Sequence, residues 1–149
     1  MAFISSSTTV LSFAEYADVT AADQRLFESN EGLTEDNVED LLIRSTERIM
    51  TQLDNTLGRT LDIDNIQDRQ NDFTDLCVYH CMHYYILPKF ADFGTEENAE
   101  VQKMGYYQNK FENLFNELVA DGDWYDLDED GTVEAGEEVS VYVNLKRVR

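Results

Sequence analysis

The sequence predicts a mainly α protein: a small helical bundle of three long helices plus a short one, with an extended or β-like C-terminal arm. Three observations predict it. Apolar residues recur at helical spacing along three long stretches. Each stretch is bounded by residues that cap or break helices. The β-branched residues gather instead in the last stretch, VSVYVNLKRVR. A chain of 149 residues suits one domain, and its 8 Phe, 8 Tyr and 4 Met can fill a core, which separates it from a disordered acidic tail.

The Ser- and Thr-rich residues 1–12 show no sustained period and are expected to form an N-terminal arm, with order beginning around Ser12-Phe13-Ala14-Glu15-Tyr16. The bundle is expected over 13–120. Thr20 reads as the N-cap of a short helix over 21–29, ended by Asn30, Glu31 and Gly32. Thr34 reads as the cap of the first long helix, with Glu35 and Asp36 in its first turn, where negative charge favours the helix dipole. Val38, Leu41, Leu42, Ile49, Leu53 and Leu57 form its apolar stripe, and Gly58 ends it.

A second long helix is expected from about Ile66 to Leu87, stopped by Pro88 and carrying Phe73, Leu76, Cys77, His80, Cys81, Tyr84 and Leu87 on one side. It should be central and mostly buried. After the loop PKFADFG, Thr95 should cap a third long helix, with Glu96 and Glu97 in its first turn. Met104, Tyr107, Phe111, Leu114, Phe115 and Leu118 mark its inward face. Residues 121–138 then form a carboxylate-dense loop, and 139–149 a C-terminal arm. No repeat appears and the acidic loop occurs once, so neither a solenoid nor a tandem calcium sensor is expected. The single proline excludes a proline-rich linker.

Thirty-one acidic against eleven basic residues leave a formal charge of −20, which repels phosphate backbones and anionic lipid headgroups. Nucleic acid is therefore not the expected ligand. No stretch approaches the about 18 consecutive apolar residues of a spanning helix, and the start, MAFISSSTTVLSF, lacks a basic region before its apolar patches. Neither membrane insertion nor secretion is indicated. Cys77 and Cys81 lie four apart on one predicted helix, where a disulfide would strain the backbone, so free thiols in a reducing compartment are expected.

The sharpest local signal is DLDEDGTVEAGE, residues 126–137, which fits the D-x-[DN]-x-[DN]-G-x5-E calcium-loop pattern at every fixed position. Calcium takes six to eight oxygen ligands. Asp126, Asp128 and Asp130 supply alternate carboxylates, the Thr132 carbonyl a fourth group and Glu137 a bidentate one, while Gly131 permits the turn. Glu134 could add a ligand directly or through water. The flanks depart from an EF-hand: the incoming helix ends near Ala120, and VSVYVNL prefers a strand. A polar Asp/Gly turn between helix and strand is the competing reading.

Cys77, His80 and Cys81 share a helical face at spacings that could bring soft ligands to zinc, but a structural site needs four ligands and no further Cys or His completes the set. A core lined by small hydrophobic thiols and a hydrogen-bonded histidine is preferred. The only histidines lie beside the cysteines on one helix, no phosphate-binding glycine loop is present, and acidic pairs such as Asp62/Asp64 read as helix starts. No enzymatic activity and no obligatory cofactor are expected, calcium being the one candidate ligand.

Three of the eleven basic residues fall in the last four positions. A basic, partly apolar segment on an acidic body invites docking on an acidic groove of a neighbour, by charge complementarity or by strand addition. Val141, Val143, Leu145, Lys146, Arg147 and Arg149 are its candidate contact residues.

Taken together, LTEDNVEDLLIRSTERIMTQLDNTLG, the long aromatic helix, YYQNKFENLFNELVADGDWYDLDEDGTVE and the closing LKRVR resemble tailed-bacteriophage head–tail connector (adaptor) proteins over about residues 12–149. The likeness lies in the arrangement of helices and tail, with no catalytic motif in it. It implies a structural virion protein, made in the host cytoplasm and placed at the head–tail junction. It further implies a ring, commonly of twelve copies, beneath the portal protein. The segment from about Val139 to Arg149 would then contact the portal, while loops and the N-terminal arm meet neighbours and the next tail-side connector or tail terminator protein. An acidic ring lumen would let DNA pass without specific binding. The calcium-like loop does not come from the resemblance, and a small calcium-binding protein-interaction module is the alternative reading.

Overall fold

The computed structural model describes residues 12–24, 34–89 and 99–126. Four helices and no strand stand among these residues, so the protein is mainly α. Residues 1–11 of the expected arm 1–12, the cap at Thr95, and everything from 127 onward lie outside the described residues.

Helix α1, Tyr16–Ala22, lies mostly where the sequence predicts no helix, and residues 25–29 of the short helix expected over 21–29 lie outside the described residues. Glu15 is the N-cap and forms a capping box with Asp18, whose Oδ2 accepts the Glu15 N–H at 2.8 Å. Thr20 therefore sits inside the helix, its hydroxyl donating to the Ala17 carbonyl at 3.0 Å, and does not cap a helix after it.

Helix α2, Glu35–Leu57, has the expected limits. Thr34 Oγ1 accepts the Asn37 N–H, and Gly58, at φ 72, donates its N–H to the Asp54 carbonyl. A Cβ at Gly58 would meet open space, so the left-handed backbone alone calls for glycine there.

The central helix α3 spans Gln70–Cys81 and starts later than Ile66. Residues Ile63–Asn65 form a 3-10 turn, and Ile66 makes an isolated antiparallel bridge to Tyr125. The start is set by Arg69, whose φ of 58 breaks the helical path. Past Cys81 the helix widens into a π turn, Met82–Ile86, in which the Leu87 N–H bonds the Met82 carbonyl, and ends in a 3-10 turn, Leu87–Lys89, containing Pro88. The π turn rotates the buried stripe: Met82, Ile86 and Leu87 go inward, whereas Tyr84, expected on the inner side, is 45% exposed.

Helix α4, Ala99–Asp121, runs back along α3 and closes on Gly122, at φ 62, whose N–H donates to the Leu118 carbonyl. Tyr107, Phe111 and Leu118 are buried, with Met104, Leu114 and Phe115 packed at the margin.

The core lies between α2, α3 and α4, with α1 against α2 and α3. Its far end is aromatic: Phe13, Phe73 and Trp124 pack in sequence at 5.3 and 4.9 Å between ring centroids. The core continues past residue 120, for Trp124 and Tyr125 are buried with Asp126. Ser12 is also fully buried and donates to the Ala14 carbonyl.

Arg69 ties this end together. Its guanidinium meets Asp72 and Asp121 at 2.8 Å, Asp123 at 3.4 Å and Glu117 at 3.6 Å. Burial by itself would lower its pKa, but the hydrogen bonds to Asp72, Asp121 and Asp123 outweigh that and raise it. Each half-exposed pair contributes little, so loss of the set should cost about 1–3 kcal/mol. Arg69→Gly loses the ion pairs but relieves a left-handed backbone that costs a side-chain-bearing residue about 1 kcal/mol. Urea denaturation should therefore rank wild type above Arg69→Gly and Arg69→Gly above Arg69→Ala; equal stability of the two variants would remove the backbone-strain part of this account.

Candidate functional site

The residues singled out for zinc are core residues in this fold. Cys77 and Cys81 are fully buried and not disulfide-bonded. The Cys77 thiol donates to the Leu42 carbonyl at 3.6 Å and shares a 3.6 Å contact with the Thr46 hydroxyl. Burial pushes it up to about 12, against the Thr46 hydrogen bond, which acts to lower it. Burial thus favours the neutral thiol at this position. Among the described residues no group of three or more His, Cys, Asp and Glu side chains is arranged to hold a metal ion.

Ser45 and Thr46 break the apolar stripe of α2, and the structure shows their use. Thr46 Oγ1 donates to the Leu42 carbonyl and accepts the Phe13 N–H at 3.1 Å, which fastens the start of the bundle to α2. The Thr74 hydroxyl donates to the Phe13 carbonyl at 2.7 Å, adding a tie to α3. Ser45 Oγ lies 2.9 Å from His80 Nδ1. Both Ser45 and His80 are buried, so this hydrogen bond satisfies two core groups.

His80 also floors an open groove of about 760 Å3 between α2, the π turn and α4. Its ring stacks on Tyr84 at 5.2 Å and lies 5.4 Å from His83 and 5.3 Å from Phe111. Arg48 lies over the Tyr84 ring at 4.6 Å and donates from Nε to the Tyr85 hydroxyl at 2.9 Å. Burial, then His83 and Arg48, lower His80 to about 4. Burial also lowers His83, opposed by Glu112 across the groove. Both rings are therefore neutral at pH 7, and the groove presents aromatic faces with an amide and carboxylate rim.

Asp126 is the one candidate calcium ligand among the described residues; Asp128, Asp130, Thr132 and Glu137 lie outside them, as do Val141, Val143, Leu145, Lys146, Arg147 and Arg149. Asp126 is buried, and its N–H donates to the Asn65 carbonyl at 2.8 Å. The residues before it are held as well. The Trp124 carbonyl accepts the Gln67 N–H at 3.0 Å, its indole donates to the Leu118 carbonyl at 2.8 Å, and the Tyr125 hydroxyl accepts the Asp62 N–H at 2.9 Å. The incoming α4 ends at Asp121, short of the loop, as the sequence indicates, and a turn and bridge lead into Asp126. Trp124 and Arg69 do this positioning without forming any sequence motif.

These features define a mainly α protein with an aromatic groove and a hydrogen-bonded stem, Trp124–Asp126, at the start of the acidic stretch of the sequence. No helix among the described residues is long and apolar enough to cross a membrane. Compared with known protein families, characterised proteins and solved structures, the chain matches none.

Proposed function

We propose that the chain is a structural connector: a head–tail adaptor whose copies form a ring, of about twelve on the family pattern, between the portal and the tail of a virion. It acts by assembly and carries no catalysis. The observation that supports this best is the anchoring of both outgoing segments. Ser12–Ala14 is fastened to α2 and α3, and Trp124–Asp126 to α4 and the 3-10 turn, so the segments on either side start from fixed points of the core. Residues 1–11 then serve neighbours or the next tail-side component, and 139–149 the portal. The −20 charge suits a lumen through which DNA slides without binding.

Recruitment to purified portals tests the reading. Full-length protein should assemble on them and a chain ending at residue 138 should lose most of its binding; undiminished recruitment of the short chain would remove the docking role, and absence of the protein from native particles would remove the connector reading.

The second reading, a calcium-binding protein-interaction module, draws on the sequence pattern and on the way the stem presents Asp126. A ligand that binds only the folded state stabilises by about 2.7 kcal/mol at a hundred times its dissociation constant. Under this reading millimolar calcium should raise the melting temperature of wild type but not of Asp126→Ala. Equal and negligible calorimetric heats in both would end it.

A further inference from the structure

We infer that the tyrosine-lined cleft between α1, α3 and α4 is a docking site for the basic segment Lys146-Arg147-Val148-Arg149 of a second copy of this chain. The inference rests on the connector reading and names a contact that would hold one copy to the next.

The cleft has a volume of about 410 Å3, at the small end of the roughly 300–1,000 Å3 of ligand sites, and so suits one or two side chains. Its walls carry the rings of Tyr79, Tyr106 and Tyr107 and the carboxylates of Asp18 and Asp75, with no Lys, Arg or His among the described lining residues. Tyr107 lies 6.1 Å from Tyr79 and 5.2 Å, edge on, from Tyr106, giving an angled aromatic wall. Tyr106 is 56% exposed, the most exposed large apolar side chain among the described residues. Aromatic faces beside carboxylates favour a guanidinium or ammonium group, through cation–π attraction and charge together. Lys110, over the Tyr106 ring at 5.5 Å, already shows the preference of that ring. Burial, then Asp72 and Asp18, raise the Asp75 carboxyl, and a cation seated beside it would act in the opposite direction.

Charge complementarity selects the occupant. Two copies at −20 each repel, so attraction between them needs a local reversal of sign. Within the described body Arg69 is committed to four carboxylates, Arg48 to Tyr84 and Tyr85, Lys103 to Asp23 at 2.7 Å and Lys110 to the Tyr106 ring, while Arg44 and Arg59 stand singly among acidic and neutral neighbours in sequence. Residues 146–149 concentrate three basic side chains in four positions, which no other stretch of the sequence does. Their insertion into the cleft narrows the proposed portal contact from 139–149 to 139–145, with Val141, Val143 and Leu145 left to make it.

The test uses full-length protein carrying Lys146→Glu, Arg147→Glu and Arg149→Glu, so that its own segment does not compete, and a labelled peptide of residues 139–149. The peptide should bind, and Asp75→Asn or Tyr106→Ala in the receptor should each weaken binding at least about tenfold. Both positions are exposed, and an unchanged melting temperature verifies that the variants fold. Wild-type protein should also self-associate in sedimentation at concentrations where the triple-glutamate chain is monomeric. No binding, or equal binding to all receptors, overturns the inference, the second result marking diffuse attraction to an acidic surface. Peptide binding with monomeric wild type overturns the assignment to a second copy. A protein found at the head–tail junction that ignores the peptide would sink this contact and leave the connector reading standing.

Discussion

Replacing Trp124 with alanine is expected to lower the melting temperature by roughly 10–15 °C, the consequence of losing about 3–5 kcal/mol in a domain of this size. Trp124 is the largest fully buried side chain. It closes the end of the core, edge-on to Phe73 at 4.9 Å, and its indole N–H satisfies the Leu118 carbonyl near the end of α4. Alanine would open a cavity that α3 and α4 cannot collapse to fill, because Arg69 and the Ile66–Tyr125 bridge hold their ends in place. Trp124→Phe separates the contributions: it keeps most of the apolar contact and loses the hydrogen bond, and should cost about 1–2 kcal/mol. The same substitutions should speed hydrogen exchange at the Asp126 N–H, since Trp124 fixes the stem that presents it. A shift below about 3 °C for Trp124→Ala would mean that the core does not depend on this residue.

Trp124 also shows where reading the sequence stops. It lies in DGDWYDLDEDG, past the end of the helical period and just beyond Gly122. Ala120 and Leu127, at i−4 and i+3, do not extend the stripe of α4 through the intervening carboxylates, so no sustained period marks it as a core residue. Its burial comes from tertiary packing on Phe73. By contrast, both ends of α2 are legible, because Thr34 and Gly58 act locally, through a side-chain acceptor and a left-handed backbone. The inward face of α4 is legible for the same reason, as periodicity is a local property. Arg69 is not. A left-handed residue is expected to be glycine or asparagine, and only carboxylates on α3, α4 and the following turn make arginine suitable there. The π turn is equally silent: Met82-His83-Tyr84-Tyr85-Ile86 fits an α-helix in sequence, and the extra residue is settled by packing ahead of Pro88. The groove follows from that turn, and the tyrosine cleft from three helices distant in sequence. The calcium pattern, by contrast, was plain in the sequence, and the structure adds the stem under its first residue.

Acid should destabilise the fold in a window set by His80, to an extent comparable with a core mutation. His80 titrates near 6.5 in the unfolded chain and at about 4 in the fold, where burial, then His83 and Arg48, oppose its charge. Between those values the unfolded state binds the extra proton, so the stabilising effect of a neutral His80 is complete above pH 6.5 and is lost as the pH falls towards 4. The gap corresponds to roughly 3 kcal/mol. His83 shifts in the same direction and steepens the loss. The charged groups facing the pair are Arg48 and Glu47 from α2 and Glu112 from α4; Glu112 favours a charged His83, but it does not reverse the effect of burial. Glu39 and Asp75 have the opposite sign, since their raised carboxyls protonate more readily in the fold, and their exposure to water keeps that relief small. Urea unfolding at a series of pH values reads the balance. His80→Asn can keep a hydrogen bond to Ser45 while removing the titration. Lost packing lowers its absolute stability, so the slope is the measure: steep in wild type between pH 6.5 and 4.5, and distinctly flatter in His80→Asn. Parallel slopes would assign the acid response to the carboxylates and away from the histidine beneath the groove.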